Sequence, residues 1–125
     1  MQLYQEELMD HYRNPRNKGG LEQASFASTE HNPSCGDTVK FEGFVSAGAL
    51  KSIVFDGRGC VISQGVASML TEICKNKGIL EVLALDKEYI ITHLGIPLGP
   101  TRLKCALLPL QALQQGIIEY QQGNG

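Results

Sequence analysis

The chain has 125 residues, 42% of them apolar, with 11 basic and 13 acidic side chains and a formal net charge of -2. That length supports one domain with a real core and is too short for two, and the apolar share excludes disorder as the main state. No basic run and no Trp speak for a nucleic-acid partner, and no segment approaches the ~18 apolar residues of a membrane span.

The N-terminal stretch from Met1 to Glu7 is acidic and amphipathic, without the cationic start and apolar run of a signal peptide. A cytoplasmic setting with reduced thiols is therefore expected, and disulfides among the four cysteines are not. Leu3, Leu8 and Tyr12 predict a short helix over residues 2–13. Asn14-Pro15 and Gly19-Gly20 end it, so residues 1–20 read as a helix and linker able to move. From residue 24 to 57 the period becomes two. Val39, Phe41, Gly43 and Val45 alternate with Thr38, Lys40, Glu42 and Phe44, Ser46-Ala47-Gly48 is a turn, and Ile53, Val54 and Phe55 mark the returning strand. A weaker strand over 26–30 completes a set of three. After Cys60 the period is helical through Ile62, Val66, Met69, Leu70 and Ile73, and Asn76-Lys77-Gly78 stops it.

Residues 79–94 predict one or two short helices. A last helix is expected over about 102–121, with Leu103, Leu107, Leu110, Leu113, Ile117 and Tyr120 buried. Pro109 fits best in its first turn, and Gly116 has no evident reason to be there. Strands first and helices after predict an α+β fold: a small three-stranded antiparallel sheet with helices packed on one face.

Three cysteines stand at predicted element ends. Cys35 lies in Asn32-Pro33-Ser34-Cys35-Gly36-Asp37, Cys60 closes Gly57-Arg58-Gly59-Cys60, and Cys105 ends Arg102-Leu103-Lys104-Cys105. Gly36, Gly57 and Gly59 permit tight backbone there. Loops can bring such residues to one edge of a domain. Cys60 and Cys105 fall at predicted helix N-termini, where the macrodipole favours a thiolate. Arg102 and Lys104 add positive charge beside Cys105; they either support thiolates or are simply a solvated basic pair. Asp37, two residues after Cys35, points the same way in an extended segment and is a fourth ligand or a turn cap. Such a set suits tetrahedral zinc or an iron–sulfur cluster, and its oxygen ligand speaks for turnover rather than storage. Cys74 falls on the predicted buried stripe and reads as core. His31 reads as a strand-end polar residue, while His11 and His93 show no partner.

With these residues in hand, the sequence resembles the IscU/SufU/NifU N-terminal family of iron–sulfur cluster assembly proteins. The likeness lies in the segment Asp10 to Asn17, the loop Asn32 to Asp37, the stretch Gly57 to Ser63, and Arg102 to Ala106. The resemblance implies an α+β domain whose ligands Cys35, Asp37, Cys60 and Cys105 gather at an exposed tip. It implies a scaffold, not itself an enzyme, that takes sulfur from a cysteine desulfurase. A labile [2Fe-2S] cluster is then built from iron and sulfur and passed to recipient apo-proteins. Cys105 is the implied persulfide acceptor, and zinc can fill the same site. Where IscU-type members carry His before the third cysteine, this chain has Lys104. Where they carry a Leu-Pro-Pro-Val-Lys chaperone motif it reads Gly99-Pro100-Thr101-Arg102-Leu103, which argues against a dedicated Hsp70 chaperone. Arg-x-Lys-Cys-Ala and Cys-x-Ile-Ser are similar to SufU-type members, which implies the alternative of a zinc-dependent sulfurtransferase. The short step from Cys60 to Cys105 is IscU-like.

Overall fold

A computed structural model describes residues 2–34 and 36–124. Eight elements follow in order: α1 (Gln2–Arg13), β1 (Phe26–Asn32), β2 (Asp37–Ser46), β3 (Ala49–Arg58), α2 (Val61–Cys74), α3 (Ile79–Leu83), α4 (Lys87–Leu94) and α5 (Pro100–Asn124). The three strands form an antiparallel sheet in the order β1-β2-β3. The predicted hairpin is present. Ala47 (φ 53) and Gly48 (φ 75) both adopt the left-handed conformation that a two-residue turn needs to match strand twist.

Period two decides the faces of the sheet. Along β2, Asp37, Val39, Phe41, Gly43 and Val45 are buried, while Lys40, Phe44 and Ser46 are exposed. On β3, Leu50, Ile53 and Phe55 join the same core. Helices α2 and α5 pack on that face. Phe26 of β1 enters a slot made by two glycines: a Cβ on Gly43 would stand 2.4 Å from its ring, and one on Gly116 would stand 2.6 Å from it. Gly116, unexplained by the sequence, is thus the point where α5 crosses β1.

Helix α2 departs from the single apolar stripe expected of it. Ser63, Gln64, Gly65, Ser68 and Thr71 are buried beside Val66, Met69, Leu70 and Cys74. The reason is α1, which covers the side that the sequence reads as polar. Leu8 of α1 lies against Gly65, where a Cβ would meet Leu8 Cδ1 at 2.5 Å. His11 is buried there, with Nδ1 2.7 Å from Ser68 Oγ and Nε2 3.4 Å from Glu72 Oε1. The link after α1 is tied down as well. Arg16 N–H donates to Ser68 Oγ at 2.9 Å, Asn17 Nδ2 donates to Thr71 Oγ1 at 3.0 Å, and Phe55 N–H donates to the Asn17 carbonyl at 3.0 Å.

Helix α5 corrects two expectations. It begins at Pro100, so Pro109 lies inside it rather than in its first turn. The Pro109 ring is fully buried, and it has no N–H to give the carbonyl of Cys105 four residues earlier. Cys105 is likewise the sixth residue of the helix, beyond the first turn where the macrodipole acts.

Candidate functional site

Asp37 is the first residue of β2 and pairs with Asn32, the last residue of β1. Because it is in phase with Val39 and Phe41, its side chain is carried to the core face, and it is only 1% exposed. Gly59 makes room for it. At φ +147 that glycine holds a backbone conformation rarely open to other residues, and a Cβ there would stand 2.2 Å from Asp37 Oδ1. Gly57, at φ +153, lies as tightly on β2, with its absent Cβ 2.2 Å from the Thr38 carbonyl oxygen. These two glycines seat the end of β3 against the start of β2 and deliver Cys60 beside Asp37.

Two hydrogen bonds lock that approach. Cys60 N–H donates to Asp37 Oδ1 at 2.8 Å, and Cys60 Sγ donates to Asp37 Oδ2 at 3.4 Å. Cys60 is also the N-cap of α2, its sulfur accepting from Ser63 N–H at 3.4 Å. Sulfur therefore takes the place of the oxygen that usually caps a helix. A thiolate and a carboxylate this close repel, so the contact needs a proton or a cation between them.

Cys105 completes the cluster from α5. Ligand atoms of Asp37, Cys60 and Cys105 all lie within 4.8 Å of one another. Ligands of one tetrahedral zinc at 2.0–2.3 Å would stand about 3.5–3.8 Å apart. The Cys60–Asp37 separation of 3.4 Å lies just below that span and the other pairs are no more than 4.8 Å apart, so small side-chain shifts let the three residues fit a tetrahedral ion with one ligand still to come. Cys35, the fourth expected ligand, lies outside the described residues.

The cluster is less open than an exposed tip. Cys60 is half-buried, but Asp37 and Cys105 are 1% and 5% exposed. The core-facing phase of β2 covers the first, and the packed neighbours Ala106, Leu108 and Pro109 flank the second. Arg102 and Lys104 are exposed, and among the described residues neither forms an ion pair. Lys104 instead borders a surface groove of about 280 Å³ with His31, Asn32, Pro33, Leu107 and Gln111. His31 is a strand-end residue, its Nδ1 3.0 Å from Thr38 Oγ1. His93, on α4, stacks on Tyr89 at 5.8 Å.

Cys74 is sealed in the core, and burial pushes its thiol up to about 12, against the weaker opposite pull of Lys77. It is chemically separate from the cluster. Sequence reasoning missed His11. Burial, then the Arg16 guanidinium, hold it below the usual histidine range, with Glu72, Glu7 and Asp10 pulling the other way. The signal was present in α2, where Gly65, Ser68 and Thr71 put small and polar groups on the side away from the apolar stripe.

An antiparallel three-stranded sheet backed by helices, with two cysteines and an aspartate drawn together from β2, α2 and α5, defines a class of small α+β metal- or sulfur-handling domains. The family described as NifU-like N terminal domain matches residues 3–125, and the chain belongs to it. It is 35% identical to the zinc-dependent sulfurtransferase SufU of Bacillus subtilis, over 98% of this chain and 94% of that protein. It is 33% identical to the iron-sulfur cluster assembly scaffold protein IscU 1 of Archaeoglobus fulgidus, over 98% of this chain and 80% of that one. Among solved structures, a putative iron-sulfur cluster assembly scaffold protein for the SUF system from Fervidobacterium islandicum superposes with a TM-score of 0.77. It is 26% identical, and the match covers 90% of this chain and 94% of that chain.

Proposed function

We propose that this protein is an iron–sulfur cluster assembly scaffold, with Cys35, Asp37, Cys60 and Cys105 as the residues that hold the growing cluster. The observation that carries the reading is the convergence of Asp37, Cys60 and Cys105 within 4.8 Å in a chain of this family. Three thiolates and one carboxylate form a soft set with one hard member. The oxygen ligand binds iron less firmly than a fourth thiolate would, which suits a [2Fe-2S] cargo that must leave for a recipient apo-protein.

Sulfur arrives from a cysteine desulfurase as a persulfide. The Cys105 thiolate attacks the terminal sulfur, a new S–S bond forms on Cys105, and the S–S bond to the desulfurase cysteine breaks to leave its thiolate. No electrons are gained or lost overall. With Cys105 only 5% exposed, the step requires local opening around the start of α5. Arg102 and Lys104, exposed nearby, supply positive charge to an incoming anionic persulfide. A site that works through thiols at Cys60 and Cys105 suits a reducing, cytoplasmic setting.

A second reading is favoured by one comparison. The 35% likeness to a zinc-dependent sulfurtransferase, together with Lys104 before Cys105, supports a relay in which zinc holds the thiolates and Cys105 takes up sulfur. When bound, zinc would keep these thiols ionised; Asp37 and Cys60 would remain its ligands. The Bacillus alignment runs over 139 positions against a chain of 125, so that protein carries residues this chain lacks. The Archaeoglobus alignment spans 123. The length pattern therefore favours the scaffold.

Anaerobic incubation with iron, cysteine and a desulfurase separates the two. A visible-absorbing cluster on the protein is expected. If no cluster forms while zinc-loaded protein raises desulfurase turnover, the scaffold reading fails.

A further inference from the structure

The hydrogen bonds around Cys60 extend beyond the ligand set. Ser63 is fully buried and Gln64 is 7% exposed. Ser63 N–H donates to Cys60 Sγ at 3.4 Å, and Ser63 Oγ stands 3.7 Å from the same sulfur. The Ser63 hydroxyl donates to the Cys60 carbonyl at 3.3 Å. Gln64 Nε2 in turn donates to Ser63 Oγ at 3.2 Å and to the Thr38 carbonyl at 3.3 Å. An unbroken path thus runs from β2 through Gln64 and Ser63 to the Cys60 sulfur.

Elementary hydrogen-bond chemistry says what this path can do. A hydroxyl has one proton and two lone pairs. Gln64 fills a lone pair of Ser63 Oγ, which leaves the Ser63 proton to one of two acceptors, the Cys60 carbonyl or the Cys60 sulfur. While the sulfur carries its one hydrogen, it donates to Asp37 Oδ2, the nearer acceptor at 3.4 Å, and the hydroxyl proton goes to the carbonyl. A metal-bound sulfur has no hydrogen and only accepts. A bond to such a charged acceptor is stronger than one to a neutral carbonyl, so the Ser63 proton turns to the sulfur and joins the backbone N–H already there. The Gln64 amide cannot reverse to spoil this, since its oxygen would then face the Thr38 carbonyl. Its Oε1 is buried and meets no partner among the described residues, so its N–H side alone sets its orientation.

We propose that Ser63 is a positioning residue for the Cys60 sulfur, that Gln64 orients the Ser63 hydroxyl, and that the pair sets how firmly Cys60 holds a metal. The proposal rests on the metal-site reading above and adds to it two residues that are not ligands. Outer groups that orient a ligand commonly change metal affinity by about 10–100-fold when removed.

Cobalt(II) is a suitable probe, because its sulfur-to-metal charge-transfer band reports the state of the bound thiolates. Wild type, Ser63→Ala, Gln64→Met and the double variant are titrated with cobalt, and each metal-free protein is also melted. Ser63→Ala is expected to weaken cobalt binding roughly 10-fold and shift the band. Gln64→Met is expected to move both in the same direction by less. The double variant should match Ser63→Ala, because Gln64 acts only through the hydroxyl. A merely structural role would lower the melting temperature and leave the band in place, and that result overturns the proposal. So does a Gln64→Met effect that persists undiminished in the Ser63→Ala background. If Ser63→Ala does not fold, Gln64→Met alone decides: an unmoved band and affinity overturn the idea. Wild type that binds no cobalt refutes the metal-site reading itself and this proposal with it.

Discussion

Replacing Gly59 with alanine tests the seat on which the cluster is built. The new Cβ would stand 2.2 Å from Asp37 Oδ1 and 2.9 Å from Asp37 Cα. The carboxylate could swing aside, but the backbone Cα cannot, so the Gly57–Cys60 segment must lift off β2. Two costs add. Alanine at φ +147 carries backbone strain of roughly 1–3 kcal/mol. Lifting the segment also breaks the 2.8 Å bond from Cys60 N–H to Asp37, and a donor left unsatisfied costs about 1–3 kcal/mol. The sum is roughly 2–6 kcal/mol, a large part of the ~5–15 kcal/mol that holds a typical domain together. Gly48→Ala is the control: it too has positive φ (+75), but nothing lies within 4 Å of its Cβ position. It should lose only about 1–2 kcal/mol of conformational preference. Urea unfolding of the metal-free proteins measures both, free of any stabilisation by bound metal. If Gly59→Ala is no less stable than Gly48→Ala, the close approach of the loop to Asp37 is not what holds Cys60 in place.

Other tests follow from separate parts of the molecule. Asp37→Ala should make a reconstituted cluster longer-lived, since the labile oxygen ligand is gone, and decay of the visible absorbance checks it; unchanged or faster loss counts against ligation by Asp37. Gly116→Ala trades a helix-propensity gain of about 1 kcal/mol for overpacking of roughly 1–3 kcal/mol against Phe26, 2.6 Å away, so a net loss in urea stability is expected and a gain would refute the slot. His11 is held below the usual histidine range by burial, so the unfolded chain binds a proton that the fold resists. Its contribution is therefore full above the unfolded value of about 6.5 and is lost progressively as pH falls from there through the lower folded value. His11→Gln should flatten the fall in urea midpoint between about pH 7.5 and pH 5, and an unchanged slope would remove His11 as its cause. Alkylation should label Cys60 in native protein and spare Cys74, whose thiol is pushed up to about 12; fast native labelling of Cys74 would contradict its burial.

Much of this was legible in the sequence because it depends on near neighbours in the chain. Alternation through Val39, Phe41, Gly43 and Val45 foretells the core face of β2. The 3.6 period after Cys60 foretells α2, and the apolar residues of 79–94 foretell the short helices α3 and α4. Positive φ at Gly36, Gly57 and Gly59 follows from the same local reading. The start of α5 was less readable. Pro100 can open a helix as well as Pro109 can, and only burial of the Pro109 ring against the core makes an interior proline tolerable.

By itself the sequence determined the α+β order, the three strands, and the residue types able to meet as a soft ligand set. Those are matters of period and composition, written within a few residues. Only the tertiary structure decided that Gly59 is empty because Asp37 occupies its side-chain space, and that Gly116 is empty because Phe26 does. It alone set His11 against Ser68, sank Asp37 and Cys105 to 1% and 5% exposure, and joined Gln64 through Ser63 to Cys60. The physical reason is common to all of these. Each depends on which atoms from distant parts of the chain compete for one small volume, and no local pattern of residues records the outcome of that competition.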